Sequence, residues 1–193
     1  MIQLRGRAER SVPVRENPMA YSYQLMNSPV GVLKLIASDR GLAAILWEKD
    51  DPQRVRLQAA AAEGSHPLLR ETERQLTAYF AGQRETFSLE LDFVGTDFQK
   101  RVWQALLTIP FGETRSYGQI ARQIGRPKAV RAVGAANGKN PISIVAPCHR
   151  VIGADGTLTG FAGGLGIKAR LLEMENRRLG RGKLPRPASV GGG

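Results

Sequence analysis

The sequence predicts two joined units: an α/β unit over residues 19–95, and a mainly helical unit over 96–180 that contains a helix-turn-helix. Three observations carry this prediction. Short alternating or continuous apolar runs, the pattern of half-buried and buried strands, crowd residues 21–48. From Phe98 onward the apolar spacing becomes helical, with Gly and Pro at the breaks. The charge changes in the same place. From Lys100 to Arg150 there are nine basic residues and one acid, Glu113.

Residues 1–18 are Arg-rich and broken by Pro13 and Pro18, so they are expected to form a disordered basic arm. YSYQLM (21–26), GVLKLIAS (31–38) and GLAAILWE (41–48) read as strands, the last two joined by a turn at Asp39-Arg40-Gly41. Leu69, Leu76, Tyr79 and Phe80 share one helical face, which predicts a helix over 67–80 that stops at Gly82. His66 reads as a loop residue before Pro67. FSLELDF (87–93) alternates and reads as a strand that closes the α/β unit.

Thr96-Asp97 looks like a cap, and Phe98, Val102 and Leu106 recur on one face of the helix that follows. Pro110-Phe111-Gly112 breaks it. SYGQIARQIG (116–125) predicts a short helix ended by Gly125, Arg126-Pro127 a turn, and 127–140 a second helix beginning near Pro127. Two short helices across a tight turn have the outline of a helix-turn-helix. Their local excess of positive charge suits a polyanion such as nucleic acid. Six glycines between 153 and 166 predict a loop whose backbone can approach a ligand closely. IKARLLEMENRRL (167–179) predicts a last helix with Ile167, Leu171, Leu172 and Met174 toward the core. Residues 181–193 are expected to be a disordered tail.

At 193 residues the chain can bury a core without covalent staples. One cysteine excludes an internal disulfide, and with two histidines it leaves no set of ligands for a structural zinc. No metal and no cofactor are expected. No apolar run approaches the roughly 18–20 residues of a membrane span, and the N-terminus lacks the apolar core of a secretory signal, so a cytoplasmic location is expected.

The single cysteine lies in IVAPCHRVIG (144–153), an apolar run that reads as a buried strand. A lone buried cysteine is commonly a small hydrophobe. Here His149 can serve as base or ionic partner, Arg150 adds positive charge that favours a thiolate, and Pro147 fixes the backbone before the thiol. Two other chemistries stay open on these residues. One is a winged-helix DNA-binding regulator with a structural cysteine. The other is a cysteine hydrolase built on Cys148 and His149.

PCHRV, preceded by NPISIVA and followed by the Gly-rich loop, resembles the active-site signature of the O6-alkylguanine-DNA alkyltransferases, the methylated-DNA–protein-cysteine methyltransferases. The likeness spans roughly residues 20–180. It is strongest from Thr96 to Leu179, through SYGQIA, RAVGAANGKNP, PCHRVIG and GFAGGL. It implies an RNase H-like α/β domain followed by a mainly α, winged helix-turn-helix-like domain. It also implies irreversible, once-only transfer of an alkyl group from O6-alkylguanine, and to a lesser extent O4-alkylthymine, onto Cys148. His149 would take the thiol proton, Glu175 would orient His149, and Asn140 would hold the turn before the acceptor segment. Tyr117 would donate a hydrogen bond to the flipped purine. Arg131 would fill the gap in the duplex, with Ala132, Ala135, Asn137, Gly138 and Arg150 beside the DNA. Val151, Phe161, Ala162 and Gly163 would line the base pocket. The partner implied is double-stranded DNA carrying alkylated bases, bound chiefly through phosphates by a monomer.

Overall fold

The computed structural model describes residues 21–57 and 61–180, so the two expected terminal arms lie outside the described residues. β1 (Tyr21–Ser28) and β2 (Gly31–Ala37) form an antiparallel hairpin with Ser28 opposite Gly31. Its turn needs the left-handed backbone of Gly31 (φ +104°) and is tied by Ser28 Oγ, which donates to Gly31 O at 2.6 Å. β3 (Leu42–Trp47) runs antiparallel to β2, and β4 (Ala61–Glu63) runs parallel to β1, giving the order β3-β2-β1-β4.

Alternation sorts the sheet's side chains onto two faces. Leu33, Leu35 and Ile45 pack with Leu69, Leu76 and Tyr79 of α1 (Pro67–Phe80). Ile36 and Ala44 turn to the other face, against Tyr21, Val55 and Leu57. α1 starts at Pro67 because a proline there gives up an N–H that has no helical partner. His66 is its N-cap, with Nδ1 accepting from Leu68 N at 3.2 Å, a role its position in a loop did not announce. The helix ends in a paired closure. Gln83 N donates to Ala78 O, and Gly82 N (φ +71°) donates to Tyr79 O.

The strand expected over 87–93 does not form. Leu42 N donates to Glu90 O and Asp92 N to Leu42 O, making one isolated bridge, Leu42 to Leu91. Alternation was right about burial, since Phe87, Leu89, Leu91 and Phe93 pack on the core, but wrong about a ladder. The free edge of β3 is shared with a distant segment. Ile45 N donates to Pro141 O at 2.9 Å, and Ile45 bridges Ile142.

In the second unit α2 (Asp97–Leu106) opens with a reciprocal cap between Thr96 and Gln99 and buries Val102, Trp103, Ala105 and Leu106. β5 (Arg115–Ser116) leads into α3 (Tyr117–Gln123), capped in the same way by Ser116 and Gln119. α3 closes like α1, with Arg126 N donating to Ala121 O and Gly125 N (φ +71°) to Arg122 O. α4 spans Val130–Gly138 and starts later than Pro127. Ala129 N donates to Arg126 O at 2.8 Å, so Pro127 and Lys128 are the corners of a turn, where proline's fixed φ also fits. β6 (Val151–Ile152) pairs in parallel with β5, and α5 (Leu165–Arg178) completes the fold.

Candidate active site and DNA-facing surface

The segment 140–150 threads between the two cores. Ile142, Ile144 and Val145 belong to the core of the sheet, and Cys148 and Val151 to the core of the helices. Of the strand expected over 144–153 only β6 (Val151–Ile152) forms, and the thiol is not on it. Val145 N donates to Ser143 O across Ile144, whose φ is +73°. Cys148 N donates to Ala146 O across Pro147, at φ −80° and ψ 66°. Both are three-residue γ-turns, the first of the rarer and strained hand. A positive φ is costly for a β-branched residue, on the order of 1–3 kcal/mol, and the burial of Ile144 in the core holds it. A 3-10 turn, Cys148–Arg150, then carries the thiol. The apolar run is buried because it crosses two cores, and periodicity cannot distinguish that from a strand.

Asn140 fixes the approach to this turn. Its Nδ2 donates to Ala146 O at 2.7 Å, and its Oδ1 accepts from Ile142 N at 3.1 Å. Its own carbonyl accepts from Arg54, whose guanidinium is held by Asp50. Cys148 is buried at 3 % exposure. Burial pushes its thiol pKa up, opposed by the Asn140 side chain and the charges of Lys168 and Arg54. The resting thiol is therefore protonated at neutral pH, and the thiolate that Arg150 was expected to favour is not the resting form.

Arg150 is spent elsewhere. Its guanidinium is buried, donates to both oxygens of Glu175 (Nε to Oε2 at 3.0 Å, Nη2 to Oε1 at 2.9 Å) and to Ile109 O, and lies over the ring of Phe111. It cannot reach DNA from there, which corrects its expected place on the DNA surface. Glu175 is fully buried and accepts further from Tyr79 Oη at 2.7 Å and Gly112 N at 3.0 Å, with His149 Nε2 2.9 Å from Oε1. Burial alone would raise its pKa, but His149 and Arg150 outweigh this and hold the carboxyl well below its ordinary range. Against an ionised carboxylate, Nε2 must carry the hydrogen and donate it. Burial lowers the pKa of His149 despite Glu175, so the ring is neutral at pH 7. Nδ1 then presents a lone pair, buried and without a partner among the described residues, one residue from the thiol.

The residues expected to wall a base pocket come from three elements. Tyr117, the first residue of α3, lies over Gly134 of α4 and donates to Thr159 O at 3.3 Å. Burial raises the phenol's pKa, so it remains a proton donor. Lys168 Nζ donates to Thr159 O at 2.7 Å and to Val151 O at 2.6 Å, pinning the Gly-rich loop to β6. Its burial lowers its pKa to about 8. Phe161 meets Trp47 edge to face at 5.5 Å, and a Cβ on Gly163 would sit 2.9 Å from the Trp47 ring. Ala162 and Gly163 are half-buried beside them. The Val151 and Cys148 carbonyls each already accept one bond, which leaves each a second lone pair.

On α4, Arg131, Ala132 and Ala135 are exposed and share a face with Lys139, and Gly138 is half-buried. Asn137 is 3 % exposed and points into the core, so its expected contact with DNA is also corrected. The sequence did not announce Tyr79, Arg54, Trp47 or Gly112. Lys168 had a visible signal. The spacing 168, 171, 172, 175 puts it on the inner stripe of α5 beside Glu175.

Fold and site together define a protein that sets a buried cysteine, beside a histidine–carboxylate pair, behind a helix-turn-helix. Comparison with known proteins makes this specific. Residues 97–177 match the DNA-binding domain of 6-O-methylguanine DNA methyltransferase, and residues 21–93 its ribonuclease-like domain. The chain belongs to this family. It is 50% identical over 157 residues to a methylated-DNA–protein-cysteine methyltransferase of Methanosarcina barkeri, covering 81% of this chain and 98% of that protein. It is 51% identical over 158 residues to one of Mycobacterium bovis, covering 81% and 93%. The crystal structure of Mycobacterium tuberculosis OGT in complex with DNA superposes with a TM-score of 0.74 at 48% identity, covering 82% of this chain and 94% of that one.

Proposed function

We propose that the protein repairs DNA by moving an alkyl group from O6 of guanine, and more weakly from O4 of thymine, to Cys148, once per molecule. The observation that carries this reading is the arrangement around Cys148. A buried thiol adjoins a neutral histidine whose Nε2 is held by Glu175 at 2.9 Å and whose Nδ1 is unused.

The thiol proton passes to His149 Nδ1. Sulfur attacks the alkyl carbon, the carbon–O6 bond breaks, and its electron pair returns to the guanine. Tyr117 donates to the purine ring as that charge builds. The proton balance closes when the ring system regains one proton from the imidazolium. An ordinary thiol is about 3% ionised at pH 7, and burial takes Cys148 lower. Resting ionisation therefore does not supply the rate. In-line placement of the carbon against sulfur supplies most of it. The product is a thioether, and the single cysteine leaves no second thiol to release it.

Residues 96–180 are the DNA-binding and acceptor domain in this reading, and 19–95 the RNase H-like domain. The lesion lies inside the base stack, so the nucleotide must leave it. Arg131, exposed on α4, fills the gap, and Ala132 and Ala135 let the backbone approach. The protein acts as a monomer in the cytoplasm. No described helix is long and apolar enough to cross a membrane.

The test is intact mass after incubation with a duplex carrying one O6-methylguanine. The expected result is a gain of one methyl group, mapped to Cys148 and never exceeded with excess DNA. Unmodified protein that still binds the duplex would overturn the reading and favour a DNA-binding regulator.

A further inference from the structure

The carboxylate of Glu175 serves two units of the molecule at once. Oε1 faces His149 Nε2 at 2.9 Å and Arg150 Nη2 at 2.9 Å from the acceptor side. The same oxygen accepts from Tyr79 Oη at 2.7 Å, and Tyr79 comes from α1 of the sheet unit, 96 residues away. Oε2 takes Arg150 Nε and Gly112 N, so every acceptor position of the carboxylate is filled. Tyr79 is 0 % exposed. Its ring is wedged against Phe80, Phe87 and Phe111, and Phe111 in turn lies under Arg150. Position and direction of the hydroxyl are therefore set by packing. Packing alone would be met by phenylalanine. The hydroxyl is spent on the one carboxylate oxygen that holds the histidine.

We propose that Tyr79 is a positioning residue of the acceptor site, through which the sheet unit sets how strongly Glu175 Oε1 holds His149 and hence how good a base Nδ1 is. Donors that share one oxygen compete for the same electron density, and Oε1 carries donors from three residues. The Tyr79 bond, short and to a charged acceptor, is of the strong kind. It draws charge from Oε1 and weakens that atom's hold on the imidazole N–H. His149 is left less basic than Glu175 alone would make it.

The other charged and titratable groups around His149 are Arg150 and Cys148 on its own turn and Lys168 with Glu175 on α5. Arg150 and Lys168 disfavour the imidazolium, and Glu175 favours it. Burial and the adjacent Glu175 keep the Tyr79 phenol neutral and hydrogen-bearing well above the ordinary range, so it donates at every working pH.

The inference rests on the alkyl-acceptor reading for its consequence but not for its test. The chain has two histidines, so the His149 imidazole can be followed by NMR in labelled protein against His66. Two replacements of Tyr79 act in opposite directions. Tyr79→Phe removes the donor and keeps the ring, so His149 should titrate at higher pH, by on the order of half a unit to one unit. Replacing Tyr79 with 3-fluorotyrosine makes the phenol a stronger donor, so His149 should titrate lower. The acid limb of the single-turnover transfer rate should move the same way in each. A packing role predicts no opposed pair of shifts. An unchanged His149 titration in the fluorinated protein would overturn the proposal even if Tyr79→Phe failed to fold. Absence of transfer in the unaltered protein would sink the functional reading, while the titration would still decide the role of Tyr79.

Discussion

Residues 21–95 carry eight cations and ten anions, whereas residues 96–180 carry thirteen and five. In the proposed reading the first unit contributes no reacting atom, and the second contributes all of them. Yet the site is not complete in the second. Tyr79 reaches Glu175, Arg54 reaches the Asn140 carbonyl, and Trp47 backs the loop at Phe161 and Gly163. The edge of β3 also anchors Pro141 and Ile142, just ahead of the strained turn at Ile144. Chemistry and charge are concentrated in one unit, and the support that fixes their geometry is drawn from both. Fixing a reacting group within a fraction of an ångström needs a rigid surround, and a helical domain of this size has few layers from which to make one.

The sharpest way to break the division is Cys148→Ser. Transfer should fall below detection, because the acceptor is lost rather than weakened. Duplex affinity should stay within about twofold, since the thiol is buried and the change replaces one atom without touching the exposed face of α4. Methyl-accepting protein after this change would remove Cys148 from the chemistry. Binding lost together with transfer would show that the two functions are not separable.

Glu175→Gln comes next and tests the join itself. It leaves the buried Arg150 guanidinium without its counter-charge, which should cost about 3–5 kcal/mol in a denaturant titration. It should also flatten the acid limb of stability. The Glu175 carboxyl titrates lower in the folded protein than in the unfolded chain. Its contribution is thus complete above the unfolded carboxyl value of about 4.3 and is lost as the pH falls below it. The unaltered protein should lose stability steeply over that acidic window and the variant less so. Equal acid slopes would mean that Glu175 is not the ion the geometry describes.

What the sequence disclosed follows the same division. The cap at Thr96, the turn at Asp39-Arg40-Gly41 between β2 and β3, and the helix-turn-helix were legible because their signals are local. The turn between Ser28 and Gly31 was not read, although its glycine stood in view. The motif around Cys148 was legible as a word. Its conformation was not, because two γ-turns in an apolar run leave the same pattern as a strand. Tyr79 was visible as a core residue of α1, but the destination of its hydroxyl was not, since no spacing rule links residues 96 apart. Arg150 was misplaced for a related reason. A basic residue in a basic window reads as a ligand for DNA until the one buried acid that needs it is seen.

Arg131→Ala probes the charged side alone. An exposed cation on α4 that meets a phosphate contributes close to one counterion, so the slope of log affinity against log salt should shrink by about 0.9. Denaturant stability should be unchanged within about 0.5 kcal/mol, because the side chain is solvated in the free protein. Because Arg131 enters the duplex in the proposed reading, transfer from saturated DNA should slow as well. A reduced slope with unaltered transfer would make it a phosphate contact rather than a wedge.

The smallest effect offers the cleanest comparison, because the same closure ends a helix in each unit. Gly82 follows α1 and Gly125 follows α3, both at φ +71° and both with the same pair of backbone hydrogen bonds. Alanine in that conformation costs about 1–2 kcal/mol, whichever unit holds it. The surroundings differ. A Cβ at Gly125 meets open space, while one at Gly82 meets the Arg178 side chain, a flexible group that can move aside. Gly82→Ala and Gly125→Ala should therefore lower stability by similar amounts. Only Gly125 sets the angle at which α4 leaves α3, so only Gly125→Ala should weaken duplex binding, by a few-fold. Matched losses of stability with unmatched losses of binding would locate the DNA surface in the helix-turn-helix by backbone geometry alone. Equal losses of binding would instead mean that the sheet unit holds the reading helix in place, and the separation drawn between the two units would have to be abandoned for DNA binding as it already is for the acceptor site.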